Sequence, residues 1–218
     1  MFDNVTLEKT APTVKSRSKG ERTRTRVLDE AYDRIIDKGF AATSIEELVE
    51  AAGITKSGFF YHFKDKNDLA RQLLERYLLE SKEILDGLEA RARELSEDPL
   101  HGFLIFLKLN AEMTTDMMNN HPGCLVSAVT YQDQSFDPEV RRMNREAVLA
   151  WRDRFQRWLE EIVERYEPRV AIDITDLADQ MSVMADGAII ISKALRDPAL
   201  IARQAELHRE QVRLLFLN

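Results

Sequence analysis

Apolar residues recur at intervals of three and four positions along most of this chain, which is the spacing of residues that share one face of an α-helix. Between residues 21 and 38 the apolar positions include Val27, Leu28 and Ile35, and Gly39 follows them. Glycine is the preferred residue just beyond a helix end. The pattern predicts a first helix with one buried face, and similar stripes predict helices through the rest of the chain.

The next segment predicts two short helices joined by a tight turn. Ser44 and Glu47 have the spacing of a capping box, in which each side chain accepts a backbone N–H at the helix start. Gly53 follows the apolar positions of this helix and suits a left-handed turn. Thr55 can then cap a second helix over residues 56–62. This arrangement suggests a helix-turn-helix, in which the second helix enters the major groove of DNA. The alternative is that the two helices form a hairpin packed inside an all-α protein.

Longer helices are predicted beyond this pair. Asp65 can cap one of them, and Asp98-Pro99 and Asp137-Pro138 each combine a capping residue with a proline suited to the first helical position. The helix after Pro99 is apolar on nearly every side, which is typical of a central, buried helix.

The last two predicted helices carry regular apolar seams with a period of about 3.5 residues. The seams comprise Leu177, Met181, Met184, Ala188, Ile191 and Leu195 in one helix, and Ile201, Ala205, His208, Val212 and Leu215 in the other. Two such helices form a hairpin, and two hairpins from two chains can close a four-helix bundle. We therefore expect a homodimer through residues 174–217; the alternative is that both seams are buried within one chain.

Composition agrees with a helical protein. The chain has 218 residues, of which 44% are hydrophobic and 32% charged, with only 8 glycines and 6 prolines. One cysteine permits no intrachain disulfide and favours a reducing compartment. The sequence has no signal-peptide pattern and no apolar run near ~18 residues. We expect a cytoplasmic protein without membrane contact.

Charge is distributed unevenly along the chain. The net charge of −7 disfavours non-specific coating of nucleic acid, but residues 1–66 carry 12 Lys/Arg against 11 Asp/Glu. A locally basic surface on an acidic body is typical of a specific DNA reader. Residues 1–20 are predicted to form a flexible basic arm, which is either a solvated tail or an arm that follows phosphate or the minor groove.

No enzyme motif is present in the sequence. The glycines form neither G-x-G-x-x-G nor a phosphate loop, and G-x-S-x-G and H-E-x-x-H are also missing. Four scattered histidines and one cysteine predict no structural zinc site. We therefore predict no catalytic activity, no cofactor and no metal.

The run TSIEELVEAAGITKSGFFYHFKDKNDL resembles the DNA-binding signature of TetR-family (tetracycline-repressor-like) bacterial transcription regulators, with a match over about residues 22–80. Two positions depart from the family pattern. Ser57 stands where glycine is usual, with Gly58 one place later, and Phe60 replaces a common tyrosine. That loses a hydroxyl often used on phosphate, so Tyr61 and Lys66 are the safer expected contacts.

The resemblance implies an all-α protein, with a three-helix helix-turn-helix DNA-binding domain at residues 21–66 and a larger helical ligand-binding and dimerisation domain at residues 67–218. It implies a regulator, most often a repressor, that binds a palindromic operator in double-stranded DNA and is released by a small molecule. The expected groove contacts are Lys56, Ser57, Gly58, Tyr61 and His62, and the expected phosphate contacts are Thr43, Ser44, Thr55 and Lys66. The alternative is a dimeric helical small-molecule-binding protein without affinity for DNA.

The resemblance also implies an effector site in the second domain. The candidate lining residues are Phe106, Asn110, Met113, Met117, Tyr131, Trp151 and Phe155. Pliable methionines with aromatic walls suit a mostly apolar effector, although such residues also make ordinary core.

Cys124 is a candidate redox or electrophile sensor. A Gly-Cys-Leu at a similar point is found in a branch of the family that includes electrophile sensors. The N-terminus of the following short helix would activate the thiol. The alternative is that Cys124 is simply a small buried residue with no sensing role.

Overall fold

The computed structural model describes residues 18–118 and 123–217, without the side chains of 114–118. Over these residues the chain forms nine α-helices and one short 3-10 turn, Asp133–Ser135, so the predicted all-α fold is confirmed. The helices are α1 Lys19–Lys38, α2 Ile45–Ala51, α3 Lys56–His62, α4 Lys66–Leu95, α5 Pro99–Met118, α6 Leu125–Tyr131, α7 Pro138–Val163, α8 Ile174–Leu195 and α9 Ala199–Phe216.

The first helix begins earlier than its apolar stripe suggested. Ser18 Oγ accepts the N–H of Glu21 at 3.2 Å, and the Glu21 carboxylate accepts the N–H of Ser18 at 2.6 Å. This capping box satisfies two backbone donors at the helix start. Residues 18–20, predicted to belong to the flexible arm, are therefore part of the helix and its cap. Residues 1–17 of that arm lie outside the described residues.

The other predicted helix boundaries follow their capping chemistry. Thr55, Asp65 and Asp137 each accept a backbone N–H in the first turn of α3, α4 and α7. Gly39 and Gly53 have φ angles of +88° and +60°, which L side chains rarely adopt. The two glycines turn the chain out of α1 and out of the α2 segment, as their positions predicted.

One hydrophobic core joins the first three helices to the rest of the protein. It packs Leu28 of α1, Leu48 of α2 and Phe59 of α3 together with Leu73 of α4 and Val126 of α6, all of them buried. The core therefore continues across the domain boundary expected at residue 66. Helix α1, the first of the three predicted DNA-binding helices α1 to α3, packs directly on α4 and α6.

A second core lies at the other end of the molecule around α5. Phe103 and Phe106 of α5 contact Trp158 of α7 with ring centroids 5.3 and 5.4 Å apart, and Trp158 Nε1 donates to the Pro99 carbonyl at 3.0 Å. Helices α4 and α9 pack against α5, and α7 packs against α8. The central position predicted for α5 is confirmed.

Much of the seams of α8 and α9 is covered within the chain. Leu177 and Met181 of α8, with Ile201, His208 and Val212 of α9, are buried within the chain. Helices α5 and α7 cover these buried positions, whereas Ile191 and Leu195, the last two members of the α8 seam, are exposed. A homodimer through residues 174–217 therefore stays a prediction. The exposed large apolar side chains of the two helices are Val183, Ile190, Ile191, Leu195, Leu207 and Leu214.

None of the helices in the described part of the chain combines the length and apolar character that a bilayer crossing requires.

Candidate DNA interface and adjoining cavity

Helix α3 has one buried face and one exposed face. Phe59 and Phe63 are fully buried and anchor the helix to the core. On the opposite side Tyr61 is 83% exposed and Phe60 is 46% exposed, with Lys56 beside them at the surface. Burying two of the three phenylalanines fixes the orientation of α3, so the exposed side chains are held in a defined array.

The start of α3 is tightly built. Thr55 Oγ1 accepts the N–H of Gly58 at 3.1 Å and lies 3.0 Å from Ser57 Oγ. A Cβ on residue 58 would stand 3.3 Å from Thr55 Oγ1, closer than is usual for such a contact. Gly58 therefore preserves the cap of α3, and Ser57 projects to solvent beside it.

The charged and aromatic groups of this surface are accessible. Lys56 Nζ lies 2.7 Å from Glu46 Oε1, and this hydrogen bond lowers the pKa of Glu46. Such an exposed pair is weak, so a phosphate can compete for the ammonium. Burial, followed by the charge of Arg24, lowers the pKa of His62, so the imidazole is neutral at pH 7 and can donate or accept one hydrogen bond.

Thr43 and Ser44 were expected to hold phosphates, but their side chains serve the fold. Thr43 is 1% exposed and its hydroxyl donates to the Gly39 carbonyl at 2.9 Å. Ser44 Oγ accepts the N–H of Glu47 at 3.2 Å, as the capping-box spacing predicted. Hydrogen bonds from Lys38 and Ser44 lower the pKa of Glu47 to about 2. We therefore assign both hydroxyls to the turn before α2 rather than to DNA.

Lys66 has an internal role that the sequence did not predict. Its ammonium donates to the carbonyls of Phe40 and Ala41 and lies 4.2 Å from the centroid of the Phe40 ring. Partial burial lowers its pKa. The sequence predicted a phosphate contact for Lys66, but in the structure these two carbonyls and the ring already surround its ammonium.

A cavity of about 200 Å³ lies behind the DNA-binding helices, between α1, α4, α5, α7 and α8. Four of the predicted effector-site residues line it, namely Asn110, Met113, Trp151 and Phe155. Phe106 does not, because it is fully buried in the second core, and Tyr131 does not, because it is 73% exposed on α6. The side chain of Met117 lies outside the described residues.

The wall of the cavity nearest the DNA-binding helices contains polar groups that the sequence did not identify. Tyr32 of α1 stacks on Tyr77 of α4 with ring centroids 6.2 Å apart. Tyr77 Oη donates toward Cys124 Sγ at 3.7 Å, and Asp186 of α8 lines the same space. Burial raises the pKa of Tyr32 to about 12 and raises that of Tyr77 as well. These residues are far apart in sequence, so no local pattern brings them together.

The environment of Cys124 does not favour a thiolate. Burial, followed by the charge of Asp186, raises the pKa of the thiol above its ordinary value of 9.0. Cys124 immediately precedes α6, as predicted. However, its thiol pKa is raised, whereas activation by the helix N-terminus would have lowered it. The thiol is therefore protonated at neutral pH and poorly nucleophilic.

Residues 123–136, which we call the linking segment, connect the cavity to the DNA-binding helices. At one end Tyr32 Oη donates to the Gly123 carbonyl at 3.3 Å. At the other end Gln132 Oε1 accepts the N–H of Ala41 at 3.2 Å, and Phe136 stacks on Phe40 with centroids 4.2 Å apart. The segment touches both the cavity wall and the turn between α1 and α2.

An outer groove lies beside the cavity. It has a volume of about 560 Å³ and runs between α4 and α7. Leu85 and Trp151 line both the groove and the cavity. These two side chains therefore lie between the cavity and the outer groove.

Comparison with known proteins finds two matching families. The family described as "Bacterial regulatory proteins, tetR family" matches residues 27–73, and "Tetracyclin repressor-like, C-terminal domain" matches residues 107–207. The first match covers most of α1 together with α2, α3 and the start of α4. The second covers most of the helices that surround the cavity.

Individual proteins agree with these matches. The probable HTH-type transcriptional regulator ArpR of Pseudomonas putida is 25% identical over 178 residues, which is 80% of this chain and 82% of ArpR. The HTH-type transcriptional regulator AcrR of Shigella flexneri is 36% identical over 61 residues, only 28% of each chain. A TetR-family regulator from Agrobacterium tumefaciens has the same fold, with a TM-score of 0.76 at 18% identity over 88% of this chain and 98% of that one.

Proposed function

Because the chain belongs to the TetR family of DNA-binding transcriptional regulators, we propose that it is a homodimeric repressor whose palindromic operator is released when a small molecule occupies the cavity behind α1 and α4. The family consists of regulators rather than enzymes, and its helix-turn-helix binds DNA.

The observation that carries the proposal is the exposed face of α3. A helix anchored by Phe59 and Phe63 presents Lys56, Ser57 and Tyr61 to solvent in a fixed orientation. In a helix-turn-helix these positions reach the edges of bases and the neighbouring phosphates. We assign groove contacts to Lys56, Ser57, Gly58, Tyr61 and His62, with Thr55 at the backbone.

A dimer is supported by the exposed apolar side chains of α8 and α9. Val183, Ile190 and Ile191 of α8 lie at the surface with Leu207 and Leu214 of α9. An apolar surface of this kind is typical of an association site. A two-fold dimer places two recognition helices in successive major grooves, with half-sites roughly 34–36 Å apart.

Effector control is supported by the composition of the cavity wall. Tyr32 belongs to α1, Tyr77 to the helix that continues from the DNA-binding domain, and Gly123 to the linking segment. A ligand that fits the cavity only when these parts shift would favour a conformation that does not match the operator. Coupling of this kind is typically about 1–3 kcal/mol.

Selection from random duplex DNA tests the proposal. We expect the recovered sites to be inverted repeats, bound by two chains each, with an affinity that falls steeply as salt is raised. Tyr61→Ala is the matched variant: it should leave the free energy of unfolding unchanged because the ring is exposed, and it should weaken operator binding about tenfold or more. Failure to enrich any sequence would favour the alternative of a ligand-binding protein without DNA affinity.

A further inference from the structure

A single carboxylate lines an otherwise largely apolar cavity. Asp186 lies on the α8 wall and is partly buried. Among the described residues, no hydrogen bond or ion pair reaches its oxygens. Arg152 of α7 holds Asp179 at 2.7 Å, and Lys193 of α8 donates to the Ile36 carbonyl at 3.4 Å, so neither basic side chain is paired with Asp186. A partly buried carboxylate without a protein partner is available to a ligand that enters the cavity.

The surroundings of Asp186 are aromatic. Tyr32, Tyr77, Trp151 and Phe155 line the same cavity. The faces of aromatic rings carry negative charge density and attract cations, most strongly when water is excluded. A cavity lined by one carboxylate and four aromatic rings is therefore suited to a positively charged group with an apolar body.

We infer that the cavity binds a small organic cation, an amine or quaternary ammonium with an apolar or aromatic body, and that Asp186 is the residue that selects its charge. The inference rests on the proposed role of the cavity as the effector site and narrows its ligand class. A metal ion fits this site less well, because the described residues place no cluster of three His, Cys, Asp or Glu side chains that could hold one. A neutral hydrogen-bond donor would satisfy an oxygen of Asp186 but leave its charge uncompensated.

Two probes of nearly the same shape test the inference on the full-length protein without DNA. Benzyltrimethylammonium carries the charge, and 2,2-dimethylpropylbenzene replaces its nitrogen by carbon. Binding is followed by calorimetry and by the fluorescence of the cavity residue Trp151. We expect the wild type to prefer the cation by about tenfold or more.

Two variants separate the role of Asp186 from a general charge effect. Asp186→Asn should weaken binding of the cation about tenfold and change binding of the neutral probe less than about twofold. Asp176→Asn removes the same charge from an exposed position of α8 and should leave both affinities unchanged. In the absence of a probe, Asp186→Asn should be at least as stable as the wild type, because it removes an uncompensated charge.

The inference is overturned if the neutral probe binds as tightly as the cation, if Asp186→Asn retains the cation affinity, or if neither probe binds. A destabilised Asp186→Asn would also contradict it, because the carboxylate would then have a structural partner. A separate operator-binding assay with the bound cation distinguishes the two proposals: binding without operator release would contradict the repressor mechanism and leave the ligand class standing.

Discussion

Tyr61 and Lys66 lie five residues apart, but their side chains have opposite surroundings. Tyr61 is held at the surface by neighbours that are buried, whereas the ammonium of Lys66 is bound to the carbonyls of Phe40 and Ala41, in the turn after α1. The resemblance to known DNA-binding sequences predicted both as contacts. It could not separate them, because a lysine near a helix start looks the same in sequence whether it meets a phosphate or a carbonyl.

Lys66→Met should destabilise the protein by about 1–2 kcal/mol. The substitution keeps the aliphatic stem but removes the ammonium from the Phe40 carbonyl and ring. Urea unfolding measures the loss, and Lys64→Met, at an exposed neighbouring position, is the control and should be neutral. An unchanged stability, accompanied by a smaller salt dependence of DNA binding, would instead assign Lys66 to a phosphate.

His208 should make stability depend on pH. Burial lowers its pKa below the ordinary 6.5, so the folded protein resists a proton that the unfolded chain accepts. The full stability is therefore present above about pH 6.5 and declines as the pH falls below it toward and through the lowered pKa.

Urea unfolding at pH 7.5 and pH 5.5, at one protein concentration, measures this decline. His208→Gln should reduce it, whereas His101→Gln, which changes an exposed histidine, should not. An equal decline in the wild type and His208→Gln would show that His208 does not cause the pH dependence.

At the scale of elements, the helices and their caps follow from local sequence. Asp65, Asp137 and Gly53 act where their chemistry predicted. Helix partners were less predictable, because a seam of period 3.5 records which face is buried but not whether the covering helix belongs to the same chain. The contact of the linking segment with α1 joins residues about 90 positions apart and leaves no local pattern.

Gly123→Ala tests this contact. A Cβ at residue 123 would overlap the Cγ2 atom of Ile36 on α1, so the linking segment would be displaced. We expect a loss of about 1–3 kcal/mol in the free energy of unfolding and weaker operator binding. Adding Ile36→Ala removes the overlapping atom, so the double variant should lose less than the sum of the two single changes. Strict additivity would mean that the two positions do not meet.

At the scale of the whole molecule, the proposed repressor joins a DNA-binding surface, a ligand cavity and a dimer surface. The sequence correctly predicted the helix pair that carries the DNA-binding surface, and it identified four residues of the cavity wall. It did not reveal that much of the α8 and α9 seams is covered within the chain, while Ile191 and Leu195 of the α8 seam stay exposed. The carboxylate of Asp186 was missed, since its significance depends on its neighbours in three dimensions.

Ile191→Glu should separate the dimer. Ile191 is 48% exposed among the apolar residues of α8, and a charge there would be buried on association. Light scattering at micromolar concentration should give one chain for this variant and two for the wild type. Leu95→Glu, which places the same charge at an exposed leucine of α4, should remain dimeric. A dimeric Ile191→Glu would place the interface elsewhere.

The central claim is that filling the cavity weakens DNA binding, and Ala185→Phe tests it without a known effector. Ala185 lines the cavity, so a phenyl ring there would occupy the space proposed for the ligand. Fluorescence anisotropy on the selected operator should show about tenfold weaker binding for Ala185→Phe, provided that the variant is folded and dimeric. The control Ala171→Phe, at an exposed position between α7 and α8, should bind the operator as the wild type does. Equal operator affinity in all three proteins would contradict the account.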